Sequence, residues 1–371
     1  MSTIISVFGS SVGQEELDEI KSSIENQWMG IGPKTKQFEE AFAQRLGLAG
    51  FTLLDSGSNA LFMATRLLNL PPGAEVILPS FTWISCAHAV VLAGCKPVFC
   101  DVDLDTHNVT RQTIEPHITP NTGVIMVVHY AGKPVRLDEI QDLGFPIIED
   151  AAHAVDSKLR GRSCGAIGDV GIYSFDAIKN LAMPEGGGIT ARDLEATAKT
   201  KLLRYCGIGK SGFEASGQKQ SRWWEYNIID FFPKLIPNDI CASVGLAQLR
   251  KLDDLQARRK QIWDIYQGEL AGIGWLVRPK DAEPDEQHSY FTYVIRALGG
   301  CRDRLARYMY DNGVYTTLRY HPLHMNPIYK SDARLPVCEQ LNEEALCVPL
   351  HPRLSDSDVA KIVDLLTKFK A

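Results

Sequence analysis

The sequence predicts an α/β fold, with a large domain built on a mostly parallel sheet flanked by helices and a smaller C-terminal α/β domain. Short β-rich runs alternate with amphipathic stretches of helical period, as in parallel strands joined by crossover helices. Single hydrophobic cores rarely grow beyond about 250–300 residues, and this chain has 371. We therefore predict a large domain over residues 1–250 and a small domain over residues 251–371.

The predicted elements follow from these patterns in order along the chain. Apolar residues at helical spacing predict helices, and short β-branched or aromatic runs between turn residues predict strands. The predicted helices are Glu15–Asn26, Lys36–Leu46, an apolar helix ending at Ala93, Leu194–Tyr205, Asp239–Gly272, Arg302–Asn312 and Ser355–Phe369. The predicted strands are Phe51–Asp55, Glu75–Pro79, Pro97–Val102, Val124–Tyr130, Pro146–Ile148, Val170–Phe175 and Tyr290–Ala297.

Composition excludes several classes of protein. A net charge of −6 and a pI near 5.9 provide no positive surface for nucleic acid or an anionic membrane. The sequence has no run of about 18 apolar residues that could span a membrane, and its first residues lack the features of a secretion signal. The nine cysteines are odd in number and have no CxxC spacing, which favours a reduced, cytoplasmic protein.

Polar residues lie at the carboxyl ends of two predicted strands. Asp150 follows the strand that ends at Ile148, and Ser174 and Lys179 lie at and beyond the end of the next. Each residue alone is more typical of a solvated charge or a helix cap. At the edge of an α/β sheet where ligands bind, the three together suit pyridoxal phosphate (PLP). This cofactor needs an amine for its aldehyde, a carboxylate for its ring nitrogen and donors for its phosphate.

Further residues fit a phosphate and a flat ring. Gly57 and Ser58 lie in a strand–turn–helix segment, where backbone amides can bind an anion, although an ordinary serine N-cap is the more common explanation of such a segment taken alone. Trp83 follows the strand Glu75–Pro79 and could stack on a ring or simply be core. The glycines at 186–188 predict a close approach of the backbone to a ligand.

Two groups of possible metal ligands do not predict a metal site. Asp101, Asp103 and Asp105 lack the glycine and glutamate of an EF-hand loop, so we interpret them as a solvated loop. His321 and His324 are separated by a proline that prevents a helical pair, and no third ligand is evident. We therefore predict no bound metal.

Five segments carry a family resemblance that covers nearly the whole chain. They are SGSNAL at 56–61, EVILPSFTW at 75–83, GCKPVFCDVD at 94–103, IIEDAAHA at 147–154, and GDVGIYSFDAIKN at 168–180 with EGGG behind it. In these segments the sequence resembles the DegT/DnrJ/StrS family of PLP-dependent sugar aminotransferases. The resemblance implies the PLP-dependent transferase fold type I and homodimers with shared active sites.

The resemblance implies catalytic roles for three residues. Lys179 is expected to hold the cofactor as a Schiff base, Asp150 to pair with its ring nitrogen and His153 to lie by its ring hydroxyl. A related subgroup, the sugar 3-dehydratases, has a histidine in place of the lysine, so Lys179 favours a transaminase. The cofactor contacts that the resemblance implies are Gly57, Ser58, Trp83, Asp150, His153, Ser174, Lys179 and Lys234.

Several positions depart from the common family pattern or bear on the substrate. Lys234 stands where many members have an asparagine that reaches the phosphate in the partner subunit. Arg319 replaces a frequent histidine, and we predict substrate contacts for Arg319 and His321. The loop Cys206–Gln220 is expected near the neighbouring subunit's site. The aromatic residues after it, which suit a sugar surface or a dimer core, are Trp223, Trp224 and Tyr226.

The expected reaction moves an amino group from L-glutamate to C4 or C3 of a nucleotide-linked keto-6-deoxyhexose, by ping-pong kinetics. The product would enter a surface polysaccharide or a glycosylated natural product. One alternative is an aminocyclitol-forming transaminase that acts on a keto-inositol. A second is a regulatory homologue without catalysis, against which the intact Lys179 and Asp150 argue.

Overall fold

The computed structural model of the chain describes residues 4–209 and 224–371. The helices are α1 Gln14–Glu25, α2 Pro33–Leu46, α3 Gly57–Leu67, α4 Ile84–Leu92, α5 Arg111–Ile114, α6 Leu194–Leu203, α7 Asp239–Arg250, α8 Leu252–Glu269, α9 Arg302–Asp311, α10 Pro336–Glu344 and α11 Asp356–Lys368. The strands are β1 Thr52–Leu54, β2 Glu75–Pro79, β3 Lys96–Cys100, β4 Thr122–Val128, β5 Ile147–Asp150, β6 Lys158–Leu159, β7 Arg162–Ser163, β8 Val170–Ser174, β9 Gly187–Ala191, β10 Leu276–Val277, β11 Glu286–Gln287, β12 Tyr293–Ala297 and β13 Ala345–Val348. Within these described ranges, no helix has both the length and the apolar character needed to cross a membrane.

Seven strands form the central sheet, in the order β1-β9-β8-β5-β4-β2-β3. The pairs from β8 to β3 are parallel, whereas β9 runs antiparallel to both of its neighbours. A second sheet of β10, β12 and β13 is antiparallel, and a third joins β11, β6 and β7. The predicted fold class, with a mostly parallel main sheet and a smaller C-terminal α/β part, is confirmed.

Apolar side chains fill the space on both sides of the main sheet and between the C-terminal elements. An aromatic cluster that includes Phe42 and Phe175 joins α2 to one face of the main sheet. Trp263 and Tyr266 of α8 pack with the C-terminal sheet. Leu341, however, belongs to the core of the main sheet, so both sides of residue 250 contribute to that core. The domain boundary at residue 250 stays a prediction.

The single helix predicted over Asp239–Gly272 is wrong, because the chain forms two helices there. Lys251 lies between α7 and α8 with φ −101° and ψ 11°, outside the helical range. Its ammonium group pairs with Glu16 of α1 at 2.6 Å. The break lets α7 lie against α1 and α2 while α8 turns its aromatic side chains toward the C-terminal core. Amphipathic spacing continues through the break and therefore did not reveal it.

The three aspartates considered as metal ligands have structural roles. Asp101 accepts hydrogen bonds from backbone N–H groups at the start of α10. Asp103 accepts hydrogen bonds from backbone N–H groups of its own turn. Asp105 forms an ion pair with Lys280 at 2.8 Å. Across residues 4–209 and 224–371, no three His, Cys, Asp or Glu side chains are arranged to hold a metal ion.

The buried carboxylate of Asp239 joins α7 to α2. Its oxygens accept hydrogen bonds from the N–H groups of Gly32, Lys34 and Thr35 at 2.9–3.1 Å and from the Thr35 hydroxyl at 2.7 Å. The first N–H groups of a helix have no partner inside the helix. Asp239 supplies that partner for α2 from a distant part of the chain.

We expect Asp239→Ala to lower the free energy of unfolding by about 2–3 kcal/mol, because it leaves several N–H groups at the start of α2 without an acceptor. Urea unfolding followed by circular dichroism measures this change. Asp142→Ala, which removes an exposed carboxylate, is the control and should change stability little. Equal stability of the two variants would contradict the capping role.

Candidate active site

A second buried carboxylate, Glu149, fixes the strands beneath the site. It accepts hydrogen bonds from backbone N–H groups within residues 165–168 at 2.5–2.8 Å, and from Nε2 of His129 at 2.9 Å. The N–H of Val135 donates to Nδ1 of His129 at 3.0 Å, so the imidazole is neutral and carries its proton on Nε2. Successive side chains of a strand point to opposite faces. Asp150, the next residue, therefore points away from Glu149.

Beyond the carboxyl ends of these strands lies a cavity of about 340 Å³. Its volume is within the range of small-molecule sites, which begin at about 300 Å³. The predicted site residues that line it are Gly57, Ser58, Trp83, Asp150, His153, Ser174, Lys179 and Arg319. Asp150 and Ser174 end the adjacent parallel strands β5 and β8, and the sheet thereby brings them together.

Asp150 is buried and has a partner for each carboxylate oxygen. Oδ1 accepts a hydrogen bond from the N–H of Ala152 at 2.9 Å, and Oδ2 lies 3.2 Å from Sγ of Cys86. Burial, together with the charge of Asp150, raises the pKa of the Cys86 thiol well above its usual value. The thiol is therefore protonated and donates to Asp150. No local motif singles out Cys86, a buried residue of α4.

Lys179 lies in the turn that follows β8, where its N–H bonds to the carbonyl of Asp176 at 2.8 Å. Its Nζ is 5.0 Å from the centre of the Phe291 ring. Burial lowers the pKa of this amine to about 8, and the positive charge of Arg319 acts in the same direction, while Asp150 opposes them. A lysine in this range has a large neutral fraction at mildly alkaline pH, which a nucleophile or a general base requires.

His153 is buried between two aromatic side chains. Its ring stacks on Phe291 at 4.1 Å and 16°, and its Nε2 lies 3.1 Å from the hydroxyl of Tyr320. Burial, with the nearby charges of Lys179 and Arg319, lowers the pKa of His153 well below its usual value, so the ring is neutral. Among the described residues, its buried Nδ1 has no hydrogen-bond partner.

The start of α3 forms a cradle at the cavity wall. Ser56 caps the helix, because its hydroxyl oxygen accepts a hydrogen bond from the N–H of Asn59 at 3.2 Å. The N–H groups of Gly57 and Ser58 come earlier in the first turn, where the helix itself provides no acceptor. A Cβ at position 57 would lie 2.8 Å from Cβ of Ser174. Only glycine therefore fits there, beside a serine hydroxyl and a positive helix end.

Two of the glycines at 186–188, Gly187 and Gly188, do not have the role predicted for them. A Cβ at Gly187 would overlap the backbone of Ser56 and Gly57, and one at Gly188 would overlap the ring of Phe51. These two glycines allow β9 to pack closely against its neighbours in the protein. The prediction of a close approach to a ligand is wrong for both, because the backbone they admit is the protein's own.

His321 and Lys234 lie outside the cavity of this chain. The exposed ring of His321 bonds through Nδ1 to Oδ1 of Asn342 at 2.8 Å. His321 is not among the residues that line this cavity, and its contact with a substrate stays a prediction. Lys234 is exposed, with Nζ 6.0 Å from the ring centre of Tyr205. Its contact with a partner subunit stays a prediction.

Of the aromatic residues proposed for a sugar surface, Trp223 lies outside the described residues. Trp224 and Tyr226 are described, and both are exposed. Inside the cavity, Trp83 is half exposed and lies 5.4 Å from the ring of Tyr320. The sequence did not point to Tyr320 or Phe291 because their contacts join parts of the chain that are far apart.

Comparisons with known proteins agree with this geometry. The model of the DegT/DnrJ/EryC1/StrS aminotransferase family matches residues 10–367. The chain belongs to this family. It is 38% identical to the dTDP-4-dehydro-2,3,6-trideoxy-D-glucose 4-aminotransferase of Saccharopolyspora spinosa, over 96% of this chain and 94% of that protein. The chain is thus an enzyme, a sugar aminotransferase.

Solved structures of family members have the same fold. The aminotransferase TlmJ from Streptoalloteichus hindustanus superposes with a TM-score of 0.92 and 38% identity, over 98% of both chains. The PLP-form of the putative sugar aminotransferase Spr1654 from Streptococcus pneumoniae has a TM-score of 0.91 and 26% identity, over 98% of this chain and 97% of that one. The cofactor of this aminotransferase family is PLP. The cradle at Gly57, the amine of Lys179 and the unpartnered Nδ1 of His153 fit such a group.

In the cofactor-free aminotransferase, we expect acetic anhydride to modify Lys179 with a midpoint near pH 8. Burial and Arg319 both favour the neutral amine, which is the reactive form, so reactivity is lost as pH falls below that midpoint. Competitive labelling at a series of pH values, followed by peptide mass spectrometry, measures it. Lys368, whose pKa Asp364 raises, is the internal comparison and should react only at higher pH. A shared midpoint would contradict a lowered pKa of Lys179.

Proposed function

We propose that the protein transfers the amino group of L-glutamate to C4 of a nucleotide-linked keto-6-deoxyhexose. The observation that carries this proposal is the placement of Lys179, with its lowered pKa, beside the buried Asp150 in a cavity with an anion cradle. C4 is preferred to C3 because the relative from Saccharopolyspora spinosa is named for a 4-amination. The glutamate donor follows from the family resemblance.

Pyridoxal phosphate, when bound, supplies an aldehyde that takes up amines and a ring that accepts electrons from the substrate carbon. Lys179 would hold the cofactor through Nζ until the amino donor displaces it. The free amine would then move a proton to and from the reacting carbon as general base and acid. The carboxylate of Asp150 would keep a proton on the ring nitrogen, and the thiol of Cys86 would hold that carboxylate in place.

The remaining residues would bind and orient the cofactor. The N–H groups of Gly57 and Ser58, with the hydroxyl of Ser174, would hold the phosphate at the positive end of α3. Neutral His153 would meet the ring hydroxyl, and Trp83 would cover a ring face. Because the donor would give its amino group to the cofactor and the acceptor would take it from the same cofactor, the two would use the one cavity in turn. Ping-pong kinetics follow from that sharing.

We propose a homodimer whose subunits complete each other's sites. The segment that leads to Lys234 exposes large apolar side chains, namely Trp224, Tyr226, Ile228, Ile229 and Phe231, the last with 91% of its surface exposed. Contiguous apolar surface of this kind marks interaction sites. A second copy of the chain placed there would cover it and bring Lys234 to a neighbouring cavity.

Lys179→Ala should abolish the change in cofactor absorbance that L-glutamate produces in the wild type, and lower turnover by at least about 10²–10⁴-fold, because the proton carrier is lost. Asp150→Asn should still bind PLP and yet turn over slowly, because an amide does not hold the ring nitrogen in its protonated form. Absorbance spectra before and after L-glutamate measure both. The exposed variant Lys36→Ala is the control. An unchanged glutamate response in Lys179→Ala would refute the assignment.

With L-glutamate as donor, we expect amination of a dTDP-linked 4-keto-6-deoxyhexose and double-reciprocal plots with parallel lines. Mass spectrometry of the product and its amine position by NMR measure the outcome. Turnover of a keto-inositol without a nucleotide would instead support the aminocyclitol alternative. A protein that binds PLP but accepts an amine from no donor would support the regulatory alternative.

A further inference from the structure

The guanidinium of Arg319 is a buried cation without an anionic partner. Its residue is only 5% exposed, and Nη1 has no hydrogen-bond partner among residues 4–209 and 224–371. Within the same ranges, no carboxylate lies at ion-pair distance from it. The group is instead sandwiched between aromatic rings, with Cζ 4.6 Å from the centre of Phe8 and 4.8 Å from that of Phe291. Burial of a charge is costly unless a counter-ion and hydrogen bonds compensate it.

The surroundings of Arg319 increase the positive potential. Arg259 is also buried, and it donates only to the backbone carbonyls of Phe291 and Leu350, at 3.4 and 3.2 Å, among the described residues. It thus lies against the backbone of the residue whose ring contacts Arg319. The charge of Arg319 contributes to the lowered pKa of Lys179 and of His153. This end of the cavity is therefore prepared for an anion.

Arg319 and Lys179 approach the same aromatic ring. Nζ of Lys179 lies 5.0 Å from the Phe291 centre, a distance similar to that of the guanidinium. Lys179 must reach the reacting carbon to move its proton. In an amino acid, the α-carboxylate is bonded directly to that carbon. In a nucleotide-linked sugar that reacts at C4, the diphosphate is attached at C1, across the sugar ring. An anion site close to the proton carrier therefore fits the carboxylate better than the diphosphate.

We propose that Arg319 binds the α-carboxylate of the amino donor, an inference that rests on the proposed function. The planar guanidinium presents two parallel N–H groups, which match the two oxygens of a carboxylate. The rings of Phe8 and Phe291 pack against the guanidinium, so its position is set before the donor arrives. With its carboxylate fixed there, the donor presents its α-hydrogen to Lys179.

The test uses PLP-loaded enzyme and two probes. α-Methyl-L-glutamate has the carboxylate but no α-hydrogen, so it binds without completing the reaction, and dTDP carries only the diphosphate. We expect Arg319→Gln to weaken the binding of α-methyl-L-glutamate about 10²-fold, because it removes one partner of a buried charge pair. The same substitution should change the affinity for dTDP by less than about 3-fold. Calorimetry measures both. Arg319→Lys, which keeps the charge but not the fork, should show an intermediate loss.

Matched measurements separate a binding role from a structural one. The exposed variant Arg307→Gln loses a cation elsewhere and should bind both probes like the wild type. In single turnovers, wild type should prefer L-glutamate over 4-aminobutyrate, which lacks the α-carboxylate, and Arg319→Gln should lose most of that preference. A preserved preference, or a selective loss of dTDP binding, would overturn the inference while leaving the aminotransferase reaction intact. A wild type that binds neither probe would overturn the inference together with the proposed function.

Discussion

The buried carboxylate of Glu149 is the interaction on which the geometry of the site depends. A carboxylate in the protein interior is tolerated only where hydrogen-bond donors surround it. Here the donors are His129, which follows β4, and backbone N–H groups of the loop that precedes β8. The carboxylate therefore holds three consecutive parts of the sheet at a fixed spacing. Asp150 is the neighbouring residue of the same strand, so its position relative to Ser174 follows from that spacing. A structural acid and a site acid lie side by side because a strand alternates its faces.

The sequence allowed prediction of the features that depend on local periodicity. Alternation of strands and helices indicated the main sheet, and short motifs indicated Lys179, Asp150 and Ser174 at one edge of it. Features that depend on distant contacts were not predictable in this way. The thiol that contacts Asp150 and the ring beneath Lys179 are set by tertiary packing, and neither Cys86 nor Phe291 has a local signal.

Two errors have the same physical origin. The break at Lys251 arises because α7 and α8 pack against different parts of the protein, whereas the amphipathic pattern is continuous through it. The glycines at 187 and 188 admit neighbouring protein atoms and not a ligand, and composition alone does not distinguish these uses. In both cases the outcome depends on packing partners from elsewhere in the fold, which the local sequence does not reveal.

The aromatic contacts of Arg319 join the start of the described chain to its C-terminal part, since the ring of Phe8 lies against a guanidinium that follows it by most of the sequence. A ribosome releases Phe8 early and Arg319 late. The strands that end at Asp150 and Ser174 can therefore assemble while synthesis continues, but the cavity wall at Arg319 is completed only after most of the chain has emerged. The order of translation thus separates the formation of the sheet from the formation of a finished site.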